Sequence, residues 1–126
     1  MGFTLSAADR GSAARAGSLS LNHGTVDTPC FMPVGTAATV QAMSVADLED
    51  LGVRLILGNT YHLLLRPGPD VIEAAGGLHR FMGWPHNLLT DSGGYQVFSL
   101  APFRSIEEAG VSFRSHLDGS SRRLTP

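Results

Sequence analysis

Apolar and polar residues alternate in the first part of the chain. Phe3 and Leu5 open one such stretch, and residues 16–21 form a second. The Asn-His-Gly sequence at 22–24 is typical of the tight turn between two paired strands. The pattern predicts a small antiparallel sheet over residues 1–28.

After this segment the pattern changes to short, continuous apolar runs. Three of them lie at residues 30–34, 54–57 and 87–89, and each ends at glycine or small polar residues. Short apolar runs that alternate with helical segments are typical of parallel strands buried on both faces. The runs recur roughly every 25–35 residues, which fits β-α-β units with right-handed crossovers.

Helical segments are predicted between these runs from capping residues and glycine stops. In the clearest segment, Ser44 and Asp47 form the capping-box pattern and Gly52 can end the helix. Similar signals predict short helical segments at residues 69–75, 78–83 and 105–109.

Residues 111–124 return to a hairpin pattern, because an Asp-Gly pair at 118–119 favours a tight turn. Thr125 and Pro126 are typical first residues of a further helix. Three parallel strands alone leave an exposed sheet edge, and a (β/α)8 barrel needs about 250 residues. We therefore expect an α/β fold that is the N-terminal part of a (β/α)8 TIM barrel, preceded by a small antiparallel β-sheet. The expected divisions are 1–28 for the antiparallel strands and 29–126 for an incomplete barrel with a hairpin insertion at 111–124.

Composition and charge narrow the classes of function. The chain has 126 residues, 43% of them hydrophobic, and a formal net charge of −2. A balance this close to neutral gives no whole-chain attraction to nucleic acid or membranes, so any RNA contact has to be local. The single cysteine, Cys30, excludes an internal disulfide framework and a cysteine-rich zinc site in this chain. The absence of a long apolar run and of a signal sequence favours a cytoplasmic protein without membrane attachment.

The ends of the predicted parallel strands carry the candidate chemistry. Asp91 follows the third apolar run, and a carboxylate at such a rim can accept or donate protons. Ser92, Gly93 and Gly94 come next, and the glycines leave backbone N–H groups open to a ligand. Tyr95 could stack on a planar ligand.

Each candidate also has a purely structural interpretation. Asp91 could be a turn residue, Tyr95 could belong to the core, and Asn59 could bond to its local backbone. His62 could be a structural histidine, and the remaining histidines show no metal-ligand spacing. A solvated hairpin face and a phosphate-binding patch both remain open for three arginines, namely Arg114, Arg122 and Arg123.

Several ordered motifs resemble tRNA-guanine transglycosylase, also called queuine tRNA-ribosyltransferase, in its bacterial form. The resemblance runs from about residue 3 to the end of the chain. The matching motifs are TPCFMPVGT at 28–36, LGNTYHL at 57–63, LRPG at 65–68, LLTDSGGYQVFSL at 88–100, GVSFRSHLDG at 110–119 and LTP at 124–126.

This resemblance implies a TIM-barrel enzyme that exchanges guanine at the wobble position of tRNA with a GUN anticodon for a 7-deazaguanine base, preQ1 or queuine. It implies a covalent tRNA–enzyme intermediate on an aspartate nucleophile. Asp91 matches the base-pocket aspartate that acts as proton acceptor. Residues that would line the same pocket are Ser92, Gly93, Gly94 and Tyr95.

The resemblance also implies a homodimer and a bound zinc ion in the full-length protein, with no metal ligand in these residues. The nucleophilic aspartate and the zinc ligands of the family lie beyond residue 126, so we expect no base exchange by this chain alone. Two alternatives remain: a non-catalytic module that binds a base or a barrel partner, and a different TIM-barrel enzyme that uses Asp91 on another ring substrate.

Overall fold

A computed structural model of the chain describes residues 1–101 and 103–125. Eight strands and five short helices form in this part, and the strands make three separate sheets. In chain order, the elements are β1 Gly2–Ala8, β2 Arg15–Leu21, β3 Gly24–Thr28, α1 Val45–Asp50, β4 Leu55–Gly58, α2 Thr60–Leu65, α3 Pro69–Ala74, α4 Leu78–Met82, β5 Asn87–Thr90, α5 Gly94–Leu100, β6 Arg104–Glu107, β7 Gly110–Arg114 and β8 Ser121–Leu124.

The first sheet is antiparallel, in the order β1-β2-β3, as the alternating pattern predicts. Leu19 in the central strand pairs with Phe3 on one side and with Val26 on the other. Of these three residues, Val26 is fully buried, whereas more than half of the Phe3 side chain is exposed. These three side chains share one face of the sheet, so burial on that face falls from β3 to the exposed edge strand β1.

The second sheet is the parallel pair β4-β5, in which Ile56 pairs with Leu88. The predicted strand at 30–34 is reduced to a single parallel bridge between Val34 and Leu57. There the Leu57 N–H donates to the Pro33 carbonyl over 2.9 Å, and the Gly35 N–H donates to the Leu57 carbonyl over 2.7 Å. A longer ladder does not form because Pro33 has no N–H to donate. This part of the chain is thus a mixed α/β structure.

The predicted start of α1 is confirmed. Ser44 caps the helix by accepting from the Asp47 N–H over 3.1 Å, and the Asp47 carboxylate accepts from the Ser44 N–H over 2.8 Å. The helices α3 and α4 also form where they were predicted, between the proline and glycine signals. The helices α2 and α5 were not predicted, because α2 has continuous leucines without a helical period and α5 is capped by one glycine and begins with another.

The predicted helix at 105–109 is wrong. Residues 104–107 form β6, and Glu107 pairs with Gly110 across a two-residue turn into β7. Gly110 has a φ of 135°, and a Cβ there would lie 2.3 Å from the Leu124 carbonyl oxygen, so only glycine fits. Pairing with β7 supplies the backbone hydrogen bonds that a one-turn helix would leave unmade. Ser105 of the predicted capping box thus lies in an edge strand, and Glu108 lies in the turn that follows it.

The strand β7 ends at Arg114, earlier than the pattern suggests, and pairs with β8 as the Asp-Gly signal predicts. The turn is closed by hydrogen bonds of 2.9 Å from the Ser115 N–H to the Ser120 carbonyl and from the Gly119 N–H to the Ser115 carbonyl. The predicted helix start at 125–126 ends on a residue outside the described part of the chain.

Two buried clusters hold these elements together. The first cluster consists of Tyr61, Val97, Ala101 and Phe113, and it joins α2 and α5 to the β6–β8 sheet. The second consists of Leu48, Ile56 and Trp84, and it packs α1 against the parallel pair. No helix in the described residues is long and apolar enough to cross a membrane.

The β2–β3 turn contacts the parallel sheet through polar groups. The His23 N–H donates to the Asn87 side-chain oxygen over 3.2 Å, and the Asn87 amide donates to the Gly24 carbonyl over 3.3 Å. The His23 ring stacks on His79 of α4, with centroids 3.9 Å apart and planes 13° apart. His79 Nε2 donates to the His86 carbonyl over 3.0 Å. This contact therefore depends on the protonation of the His79 imidazole.

We expect the contact between this turn and α4 to weaken as pH falls below about 6.5. Burial lowers the pKa of His79 from 6.5, and the charge of protonated His23 lowers it further, against the opposing hydrogen bond to His86. The pKa of His79 is lower in the folded protein than in the unfolded chain. Its neutral form therefore contributes stability that is complete above the pKa of the unfolded chain and is lost as pH falls through the pKa of the folded protein. The His79→Gln variant should lose this part of the pH dependence of unfolding, whereas His62→Gln should keep it. An NMR titration of His79 at or above the ordinary histidine pKa would contradict the expectation.

Candidate active site

The parallel register brings two strand ends together. Gly58 at the end of β4 pairs with Thr90 at the end of β5, so the residues that follow, Asn59 and Asp91, are neighbours at the carboxyl edge of the sheet. The Asp91 N–H donates to the Gly58 carbonyl over 3.2 Å and extends the pairing by one residue. Carboxyl edges of parallel strands are where α/β proteins place ligands. Asp91 therefore lies where the sequence predicts the chemistry.

Three N–H groups hold the Asp91 carboxylate. The Thr60 backbone N–H donates to Oδ1 over 2.7 Å. The side-chain amides of Asn59 and Gln96 donate to Oδ2 over 2.8 and 2.9 Å. The Thr60 hydroxyl also donates to the Asp91 carbonyl oxygen. The carboxylate is thus fixed from α2 on one side and from α5 on the other.

These contacts keep Asp91 ionised at neutral pH. Partial burial raises the pKa of the carboxyl group, but hydrogen bonds from Asn59, Thr60, Gln96 and the Gly93 backbone together outweigh burial and hold the pKa below its ordinary value. All of these donors are neutral, so the negative charge is balanced by hydrogen bonds alone.

Three of the four residues that follow Asp91 are exposed at the edge of the site. Gly93 caps α5 with a φ of 71°, and a Cβ there would lie 3.2 Å from the Tyr61 backbone nitrogen. The close approach of these two backbones requires glycine. The Ser92 hydroxyl accepts from the Gly94 N–H over 3.3 Å, and Ser92 and Gly94 are both exposed.

Tyr95 does not belong to the core, because 77% of its side chain is exposed. The buried residue of the same helix is Val97, which packs in the first cluster. The ring of Tyr95 is therefore free to meet a ligand or another part of the protein. Its predicted stacking on a planar ligand stays a prediction.

Sequence reasoning missed the partners of Asp91. Asn59 was expected to bond to its local backbone, but its side chain caps no helix and instead contacts Asp91. Gln96 was not singled out at all. The usable signal is that Asn59 and Asp91 each come directly after an apolar run, so parallel pairing in register places them side by side.

The histidines near the site have structural contacts. The Tyr61 hydroxyl lies 2.8 Å from His116 Nδ1, and the His62 ring meets the edge of Tyr61 at 5.3 Å between centroids. Within residues 1–101 and 103–125, no three His, Cys, Asp or Glu side chains converge in a way that could hold a metal ion. The side chains described here therefore do not fit a zinc ion.

Comparison with known proteins places the chain in one family. A family model described as queuine tRNA-ribosyltransferase matches residues 9–126. Similar curated proteins include queuine tRNA-ribosyltransferases from Treponema denticola, 61% identical over 98% of this chain, and from Moorella thermoacetica, 59% identical over 98%. Another, from Syntrophobacter fumaroxidans, is 58% identical over 100% of the chain.

The same comparisons define how much of a relative this chain represents. The aligned region covers 33% of the proteins from Treponema denticola and Moorella thermoacetica and 34% of the protein from Syntrophobacter fumaroxidans. The chain thus spans about a third of the length of these relatives and matches them along nearly all of its own. It belongs to the queuine tRNA-ribosyltransferase family.

Proposed function

We propose that this chain supplies the base-pocket half of a tRNA-guanine transglycosylase active site. The complete enzyme would exchange guanine at the wobble position of tRNA with a GUN anticodon for preQ1 or queuine, through a covalent tRNA–enzyme intermediate. The relatives are named for a tRNA-ribosyltransferase activity. The observation that carries the proposal is the ionised Asp91 carboxylate at the carboxyl edge of β5.

Asp91 is the proposed proton acceptor. An incoming base loses a ring N–H proton when it bonds to the ribose, and an ionised carboxylate beside the base can take that proton. The departing guanine needs the reverse transfer, from the protonated acid. Hydrogen bonds from Asn59 and Gln96 favour the ionised form of Asp91. We therefore propose that Asp91 is ionised before the reaction and ready to accept a proton.

The four residues after Asp91 are proposed to line the base pocket. Gly94 is exposed and lets a planar ligand approach its backbone, and Ser92 lies beside it at the same exposed edge. Gly93 is buried against the Tyr61 backbone and would line the pocket only through its own main chain. The exposed ring of Tyr95 is available to stack on the purine-like ring.

The remaining parts of the enzyme are assigned to the two-thirds of a relative's length that this chain does not span. These parts are the nucleophilic aspartate, the zinc site and the strands that would close a TIM barrel around the parallel pair. The division of the chain at residue 28, with a hairpin insertion at 111–124, belongs to the same proposal, as does a full-length homodimer.

Incorporation of labelled guanine into tRNA tests this proposal. The purified 126-residue chain should incorporate none, because it lacks a nucleophile, and the same chain extended to a relative's full length should incorporate label. Failure of the extended protein would contradict the proposal. Base binding by the chain, together with failure of the extended protein to exchange it, would instead favour a non-catalytic base-binding module.

A further inference from the structure

The β6–β8 sheet has two chemically different faces, which the strand register defines. Phe113 pairs with Arg104 on one side and with Arg122 on the other, so these three side chains share the face that packs on the first cluster. The opposite face is polar at its centre, and the exposed Phe103 ring lies at its end beside Arg114. We call it the Ser/Arg face, and it consists of Ser105, Ser112, Arg114, Ser121 and Arg123.

The Ser/Arg face is arranged as two adjoining rows. Ser112 lies between Ser105 and Arg123 in one row, and Arg114 pairs with Ser121 in the next. The two arginines are diagonal neighbours, roughly 7–8 Å apart. A shallow cleft of about 400 Å³ runs along this region, and its walls include Phe103, Ser105, Ser112, Arg114 and Ser121. Hydroxyl and guanidinium donors thus line this surface together with one aromatic ring.

The arginines of this face are not neutralised by carboxylates of the described residues. Arg114 and Arg123 are exposed, and neither forms an ion pair within residues 1–101 and 103–125. Asp118 is tied to the serines of its own turn and faces Arg122 on the other side of the sheet. Glu107 lies on the Ser/Arg face, four positions along the ladder from Arg114, or about 13 Å at 3.3 Å per residue. It is two positions from the row of Arg123, on the other side of the central strand β7.

The sheet is fixed to the candidate active site. The Phe113 ring lies 5.3 Å from the Tyr61 ring, and Tyr61 follows the Thr60 that holds Asp91. The Leu124 side chain comes within 3.5 Å of the place where a Cβ of Gly93 would lie. A polyanion on the Ser/Arg face would therefore be held at a constant position relative to the Asp91 site.

We propose that the Ser/Arg face binds backbone phosphates of the substrate tRNA next to the nucleotide that enters the Asp91 site. This rests on the proposed function. Phosphate oxygens accept from arginine and serine donors, and such contacts position a nucleic acid without reading its sequence. The net charge of the chain is −2, so attraction to RNA has to come from a local surface such as this one. The face supplies that surface, whereas Arg122 lies outside it.

The test measures tRNA binding and turnover separately in the complete enzyme. The double variant Arg114→Gln with Arg123→Gln should weaken tRNA binding roughly tenfold and raise KM for tRNA, with kcat at saturating tRNA unchanged. Loss of two phosphate contacts should also reduce the slope of log affinity against log salt by about 1.4, at about 0.7 for each single-strand contact. The matched control is Arg10→Gln, in the exposed connection between β1 and β2, which should behave as wild type.

Three outcomes would overturn the proposal. One is unchanged affinity and KM in the double variant, and another is an equal loss in Arg10→Gln. The third is a double variant that binds tRNA as wild type does but no longer binds polyglutamate. That result would indicate that the face binds an acidic protein. Filter binding measures tRNA affinity without turnover, so the two proposals can fail separately. An enzyme that binds tRNA through this face but exchanges no base would contradict the proposed function and leave the phosphate-binding proposal standing.

Discussion

Replacing Asp91 by asparagine in the complete enzyme is expected to lower kcat by a factor of about 10² to 10⁴, the range that a positioned general base contributes. Asparagine has nearly the same shape, but it cannot take a proton from an incoming base. Its NH2 group would also face N–H groups of Asn59, Thr60 or Gln96, which donate to both oxygens of Asp91. The measurement is the rate of base incorporation at saturating tRNA and base.

A matched control separates this effect from a general loss of negative charge. Asp70 is an exposed carboxylate in the first turn of α3, and its replacement by asparagine should leave turnover unchanged. Circular dichroism of both variants checks that the fold is retained. Turnover of Asp91→Asn within a few-fold of wild type would exclude Asp91 as the proton acceptor.

The lowered pKa of Asp91 bears on both directions of the proposed exchange. The N–H groups that donate to the carboxylate disfavour its protonated form, which the proposed proton return to guanine needs. Loss of one of these donors when a base binds would raise the pKa of Asp91 and favour that step. Asn59 and Gln96 belong to side chains that can rotate, whereas the Thr60 N–H is fixed at the start of α2. The side-chain amides are therefore the donors that a bound base can replace.

Local chemistry made part of this structure predictable from sequence. The capping box at Ser44 and the apolar runs of β4 and β5 each depend on neighbours in the chain, and both formed as predicted. The hairpin signalled by the Asp-Gly pair at 118–119 also formed, but with a six-residue connection in place of the tight turn. The same capping pattern at 105–108 failed because pairing with β7, a tertiary contact, decides that segment. Local propensity is a weak guide where strand pairing competes with it.

The position of Asp91 was predictable, but its environment was not. An aspartate after an apolar run identifies the edge of a parallel sheet from sequence alone. Its contact with Asn59 requires the register of β4 against β5, and its contact with Gln96 requires α5 to begin at Gly94. The two apolar runs point to the first contact only once parallel pairing in register is assumed, and the glycines conceal the helix that makes the second. The family motifs at 57–63 and 88–100 contain Asn59, Asp91 and Gln96. They identify the segments that form the site, but they do not show which side chains contact each other.

Replacing Tyr61 by alanine is expected to produce the largest loss of stability in the first cluster. No part of Tyr61 is exposed, and its ring packs against Phe113 and His116 with centroids 5.3 and 5.6 Å away. Removing a buried aromatic side chain costs about 3–5 kcal/mol. The measurement is amide hydrogen exchange in Val97 and Phe113, whose protection should fall or vanish.

Tyr61→Phe is the matched control, because it keeps the ring and removes only the hydroxyl that meets His116 Nδ1 at 2.8 Å. Its expected cost is about 1 kcal/mol, since His116 is exposed and can bond to water instead. A phenylalanine variant as unstable as the alanine variant would show that the hydrogen bond, and not the packed ring, stabilises this cluster. In the complete enzyme, Tyr61→Ala should also reduce turnover, because the same helix turn carries the Thr60 N–H that holds Asp91.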